Sequence, residues 1–124
     1  MRYAYLHSDG IIDVKVRSKF WIEVEGQPVF GRGKRSLLEA IDKYGSINRA
    51  AKEINISYRK AWSYLNAMEE RLGMRLVDRQ TGGKDGGGAR LTENARTILK
   101  KYKDLEKDLQ RIVEDNFERI FKKN

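Results

Sequence analysis

The run Ile56-Ser-Tyr-Arg-Lys-Ala-Trp-Ser-Tyr-Leu-Asn-Ala-Met-Glu-Glu-Arg-Leu-Gly73 decides how the rest of the chain is read. Ser57 suits a helix N-cap, because its hydroxyl can accept from an amide that the first turn leaves unbonded. Gly73 marks the stop, since glycine readily takes the left-handed conformation that ends helices. At about 100° per residue, Ala61, Leu65, Met68 and Leu72 fall within one narrow arc and form a core face. Arg59, Ser63 and Asn66 point away from that arc, with Tyr58 and Trp62 on its flank. Arg can bridge guanine O6 and N7, and Asn can bridge adenine N6 and N7, so this face has what a base-reading helix needs. A merely solvated polar face is the plainer alternative. Trp62 lies about 90° from the centre of the core arc. It can pack against the segment C-terminal to this helix or face a groove, and its angle allows both.

Upstream, Ser46 is a good N-cap, and Ile47, Ala50, Ala51 and Ile54 recur at i, i+3, i+4 and i+7. The two alanines let a neighbouring helix cross closely. A short turn at Asn55-Ile56 joins this helix to the next, which predicts a helix-turn-helix. A further helix is predicted from about Ser36 to Lys43, with Leu37, Leu38 and Ile41 on one face and Gly45 as its stop. Gly31-Arg32-Gly33 reads as a hinge. Before it, Phe20, Ile22 and Val24 alternate with Trp21, Glu23 and Glu25, the period of a half-buried strand. Glu25-Gly26-Gln27-Pro28 reads as a turn and Val29-Phe30 as a short return. Ile12, Val14 and Val16 alternate in the same way, so a small β-hairpin or meander is expected within residues 1–33.

Downstream, Leu76–Arg79 and Ala89–Leu91 read as two short strands. Between them, residues 82–88 hold five glycines and Lys84. Glycine loses the most freedom on ordering, so this stretch is a loop tip and not a packed element. Two strands joined by such a tip, directly after a helix-turn-helix, are the layout of a wing. A nucleotide-phosphate loop would need G-x-x-x-x-G-K-[ST], which is missing. Thr92 then caps a long helix toward Phe121. Ile98, Tyr102, Leu105, Leu109 and Ile112 recur at alternating spacings of four and three, a heptad seam that drifts to Val113 and Phe117. Nearly thirty helical residues, about 45 Å at ~1.5 Å each, overhang so small a core. The stripe either folds back on its own core or meets the same helix of a second copy, and the overhang favours a two-fold homodimer.

The 124 residues fit one structural domain, with 26 Lys+Arg against 18 Asp+Glu and a formal charge of +8. Residues 46–92, where the motifs fall, carry nine basic against five acidic side chains. Such a balance favours a polyanionic partner, because each neutralised phosphate releases counterions. There is no Cys and the one His is His7, which excludes thiolate zinc sites, disulfides and a Cys nucleophile. No acid–base pair with a cleft and no metal-ligand spacing is evident. The expectation is a non-enzyme without cofactor. No apolar run approaches the roughly 20 residues of a membrane span, and the start lacks a secretory apolar region. The predicted location is cytoplasmic.

Four stretches carry a resemblance. They are Gly45-Ser-Ile-Asn-Arg-Ala-Ala-Lys52; Ile56-Ser-Tyr-Arg-Lys-Ala-Trp62; Met68-Glu-Glu-Arg-Leu-Gly73 with Leu76-Val-Asp-Arg79; and Thr81-Gly-Gly-Lys-Asp-Gly-Gly-Gly-Ala-Arg-Leu-Thr92. Together, over residues 34–91, the chain resembles the DNA-binding domain shared by LysR-type regulators and the molybdate-responsive regulator family, ModE. The second and fourth stretches look especially like ModE. The resemblance implies a mainly α, α+β winged helix-turn-helix over residues 34–92, preceded by a β extension (1–33) and followed by a dimerisation helix (93–124). It implies a transcriptional regulator of double-stranded DNA, with Ser57, Tyr58, Arg59 and Trp62 at the start of the recognition helix and Lys84 at the wing tip. Tyr58, Arg59, Trp62, Ser63 and Asn66 would then lie nearest the bases. Arg49, Lys52 and Lys60 on the helices, and Arg79, Lys84 and Arg90 on the wing, would reach phosphates. The interface between copies would use Ile98, Tyr102, Leu105, Leu109, Ile112, Val113 and Phe117. With 124 residues, room for the molybdate-binding domains of full-length ModE is not expected. Molybdenum metabolism is a lead, and any small-molecule effector is open. A non-specific architectural DNA-binding protein and a winged-helix protein-interaction module are the alternatives.

Overall fold

The computed structural model describes residues 3–7, 10–80 and 88–121, with side chains from Val14 onward. In chain order the elements are β1 (Tyr3–His7), β2 (Gly10–Val14), β3 (Ile22–Val24), β4 (Gln27–Phe30), α1 (Arg32–Tyr44), α2 (Ile47–Glu53), α3 (Tyr58–Leu72), β5 (Val77–Gln80), β6 (Gly88–Leu91) and α4 (Glu93–Phe121). The strands pair as three separate antiparallel hairpins, β1–β2, β3–β4 and β5–β6. The fold is the mainly α, α+β winged helix expected from sequence, with the N-terminal β structure resolved into two hairpins.

The contacts divide the chain into two units, Phe20–Tyr102 and Met1–Lys19 with Lys103–Asn124. In the first, the core is built by Val29 and Phe30 of β4, Leu37, Leu38 and Ile41 of α1, Ile47, Ala50 and Ala51 of α2, and Ala61, Leu65 and Met68 of α3. Leu76, Val77, Ala89 and Leu91 at the wing base and Ala95 and Tyr102 of α4 complete it. Residues 20–33, grouped by sequence with the N-terminal extension, thus belong to the helical unit. Ala50, Ala51 and Ala61 are at most 1% exposed, small side chains buried in the core where α2 and α3 pack.

Short-range chemistry sets most boundaries. Ser46 Oγ accepts from the Arg49 amide at 3.2 Å, and Ser57 Oγ from the Lys60 amide at 3.0 Å. Gly45 and Gly73 close α1 and α3 in the left-handed conformation, with φ of 66° and 67°. Ser46→Ala is expected to cost about 1 kcal/mol, read as a lower urea midpoint at unchanged slope. The β3–β4 turn is two residues, Glu25 and Gly26, both with positive φ, as a type I′ hairpin requires. Gln27 and Pro28, expected within the turn, are already strand.

The start of the first helix also departs from expectation. Helix α1 starts at Arg32, four residues before Ser36, and Gly33 lies inside it instead of in a hinge. Its N-cap, Gly31, has no side-chain cap bond, so no cap signal stood in the sequence to mark the start.

The wing base is locked from three sides. Glu69 Oε2 of α3 accepts from the Leu76 and Val77 amides at 2.7 and 3.3 Å. The Ala89 amide donates to Gly45 O at 2.9 Å. Thr92 joins wing and helix: its amide donates to Leu76 O at 2.9 Å and its hydroxyl to Arg75 O at 2.8 Å. The same hydroxyl accepts from the Ala95 amide at 3.1 Å and caps α4.

In the second unit, segment 15–19 is tied to α4 through Gln110. Its Nε2 donates to Val16 O at 3.0 Å and to Glu114 Oε1 at 3.1 Å, while Oε1 accepts from Ser18 Oγ at 3.1 Å.

Candidate nucleic-acid interface

Helix α3 is presented by its own Ser57 cap, by its packing on α2, and by the carboxylate of Glu69 at the wing base. On its outer face Arg59, Lys60, Ser63 and Asn66 are exposed, together with Ser57 and Tyr58. That is a set of guanidinium, amide and hydroxyl donors on one rigid helix, a composition suited to reading base edges.

Trp62 takes the first of its two open placements. It is half-buried, and the Arg79 guanidinium of β5 lies 3.8 Å from its ring centroid. Tyr58 meets its ring edge to face at 6.1 Å. Arg79, expected at a phosphate, stacks its exposed guanidinium on α3 and couples β5 to that helix. Since Arg79 is exposed, a double-mutant cycle between Arg79→Ala and Trp62→Leu is expected to give about 0.5–1 kcal/mol of coupling. Coupling indistinguishable from zero would mean the stack adds no stability.

The other cations sit on both helices and the wing. Arg49, in the first turn of α2, lies 4.7 Å over the Tyr44 ring. Lys60 lies 5.7 Å over the Tyr64 ring. Lys52 and Arg90 are exposed. Lys84 and the glycine tip lie outside the described residues. The aromatic platforms under Arg49, Lys60 and Arg79 were not anticipated from sequence. Only the Lys60–Tyr64 spacing of four, one helical step apart, carried a signal.

Along α4, Tyr102 has no surface left to offer a second copy. It is 2% exposed, stacked on Phe20 at 4.9 Å and edge-on to Phe30 at 4.8 Å, and its hydroxyl donates to Phe20 O at 3.3 Å. Ile98 is half-buried against the same core. Of the other residues of the expected seam, Leu105 and Ile112 are exposed, and Leu109, Val113 and Phe117 are half-buried. No helix among the described residues is long and apolar enough to cross a membrane.

Known proteins resemble the chain in fold and in sequence. A solved chain, from the crystal structure of the CbnR_DBD–DNA complex, superposes with a TM-score of 0.53 at 19% identity. The match covers 68% of this chain and 91% of that one, and shows a common fold. In sequence, the molybdenum transport protein ModE of Azotobacter vinelandii is 43% identical over 84 residues, 68% of this chain and 31% of that protein. The transcriptional regulator ModE of Haemophilus influenzae is 46% identical over 71 residues, 57% of this chain and 28% of that protein. The DNA-binding transcriptional dual regulator ModE of Escherichia coli K12 is 43% identical over 77 residues, 61% and 29%. The matches thus span about a third of the length of these relatives. Residues 34–96, from α1 through the wing into α4, match the family model of bacterial regulatory helix-turn-helix proteins of the lysR type. The chain belongs to that lysR family of bacterial regulatory helix-turn-helix proteins, and within it is similar to the N-terminal part of ModE.

Proposed function

We propose that the chain is a sequence-specific, double-stranded-DNA-binding transcriptional regulator that acts as a homodimer and serves molybdenum or tungsten metabolism. The observation that carries this is the outer face of α3, where Arg59, Ser63 and Asn66 stand exposed on a helix braced by α2 and stacked against the wing by Arg79. A face of this kind reads base edges in the major groove, while Arg49, Lys52, Lys60 and Arg90, on the helices and the wing, reach the flanking backbone. The metal link rests on the relatives described as molybdenum transport proteins. The dimer rests on the exposed Leu105 and Ile112 of α4, apolar side chains that gain by being covered. In this reading the protein acts in the cytoplasm by binding alone, with neither catalysis nor a cofactor.

The test is a selection: purified protein, a random duplex library at about 0.15 M salt, and sequencing of what is retained. Two enriched half-sites related by a two-fold axis, about one helical turn or a multiple of it apart, are the expected result. Retention without enrichment would replace this reading with an architectural DNA-binding protein. Absence of retention, with and without molybdate, would replace it with a protein-interaction module.

A further inference from the structure

Two ammonium groups from different helices share one ring on the flank of α3 away from the wing. Lys34 Nζ of α1 lies 5.3 Å, and Lys60 Nζ of α3 5.7 Å, from the Tyr64 centroid. Burial, and then the nearby Arg71 charge, hold the Lys34 ammonium below the usual lysine range. Arg71 is itself fixed, its Nη1 donating to Pro28 O at 2.7 Å. Among the described residues neither Lys34 nor Lys60 forms an ion pair. Lys34, partly desolvated and repelled by Arg71 without a counterion, carries a cost that an anion placed beside it removes.

The helix itself suggests which anion. At about 100° per residue, Lys60, Tyr64 and Arg71 fall within about 40° of one another. They lie to one side of the Arg59–Ser63–Asn66 face, and Trp62 with its stacked Arg79 lies to the other. The major groove is about 12 Å wide and a helix with its side chains about 10–12 Å across. A helix lodged there turns both flanks toward phosphate strands. We propose that Lys34 and Lys60, held over Tyr64, form a phosphodiester anchor for the DNA strand on the side of α3 opposite the wing. This rests on the DNA-binding reading above and extends the contact surface to a residue of α1, outside the helix-turn-helix. The anchor holds any sequence equally, because it touches only backbone.

The experiment is duplex affinity by fluorescence anisotropy across a salt series, on a selected and a scrambled duplex, for the wild type, Lys34→Gln, Lys60→Gln, the double variant and Lys34→Arg. Lys34→Gln is expected to weaken both duplexes by the same factor and to flatten the log–log salt slope by about 0.9, and the double variant by about twice that. Lys34→Arg keeps the charge and is expected to keep the wild-type slope, which separates loss of the anchor from damage to the fold. The thermal midpoint of Lys34→Gln is expected to hold or rise, since the Arg71 repulsion is relieved. A wild-type slope and affinity for Lys34→Gln overturns the anchor while leaving DNA binding intact. A loss confined to the selected duplex also overturns it, because a backbone contact cannot discriminate. If the folded wild type binds neither duplex at low salt, the DNA-binding reading falls and the anchor falls with it.

Discussion

Tyr102→Ala is expected to cost about 3–5 kcal/mol of folding stability, enough to take most of the margin of a small domain. The side chain is 2% exposed and sits between Phe20 and Phe30, so its removal leaves a cavity that two other rings line without being able to close. It is also the point where α4, the end of segment 20–30 and the core meet. Urea unfolding followed by far-ultraviolet dichroism measures the loss. Tyr102→Phe separates the ring from the hydroxyl: the 3.3 Å bond to Phe20 O goes while the ring stays, and the expected cost is about 1 kcal/mol. A cost near 1 kcal/mol for Tyr102→Ala as well would mean that the aromatic cluster is not what holds α4 to the core. The experiment also separates two roles. A residue serving only the contact between copies would change the concentration dependence of the midpoint and leave the fold of the single chain alone.

Arg59→Ala is expected to relax specificity at one base pair of each half-site, by about 1–3 kcal/mol, roughly 5- to 150-fold in discrimination. The exposed guanidinium stands in the first turn of α3, the part of a recognition helix that enters the groove. Repeating the DNA selection with the variant reads the effect as lost preference at one position and retained preference elsewhere. Arg49→Ala serves as the contrast. Its guanidinium lies over Tyr44 at the start of α2, and its loss is expected to weaken all duplexes alike. Equal, sequence-independent losses for the two variants would remove Arg59 from base reading.

The features legible in the sequence are those whose physics is local. The Ser46, Ser57 and Thr92 caps, the Gly45 and Gly73 stops and the Ala61–Leu65–Met68 stripe depend on hydrogen bonds or spacings within a few residues. All stand where the pattern put them. The start of α1 was missed for the same reason in reverse. Two glycines around Arg32 carry a breaker signal, and the packing of Leu37, Leu38 and Ile41 overrides it from further along the helix. Tyr102 shows where periodicity runs out. A heptad stripe states that a face will be covered, and nothing in its spacing says by what; here the aromatic side chains of Phe20 and Phe30, some 80 and 70 residues earlier, cover it. The stack of Arg79 on Trp62 and the pairing of Lys34 with Lys60 are likewise contacts between elements. Their composition was in view and their geometry was not.

Thr92 constrains how this fold can change over evolutionary time. One hydroxyl both closes the wing, by donating to Arg75 O, and opens α4, by accepting from the Ala95 amide. Serine can preserve both bonds, whereas valine, equal in shape, forfeits both in one step. Position 92 is therefore a point on which two neighbouring elements depend at once. The strands on either side of residues 81–87 are pinned to Glu69, Gly45 and Thr92.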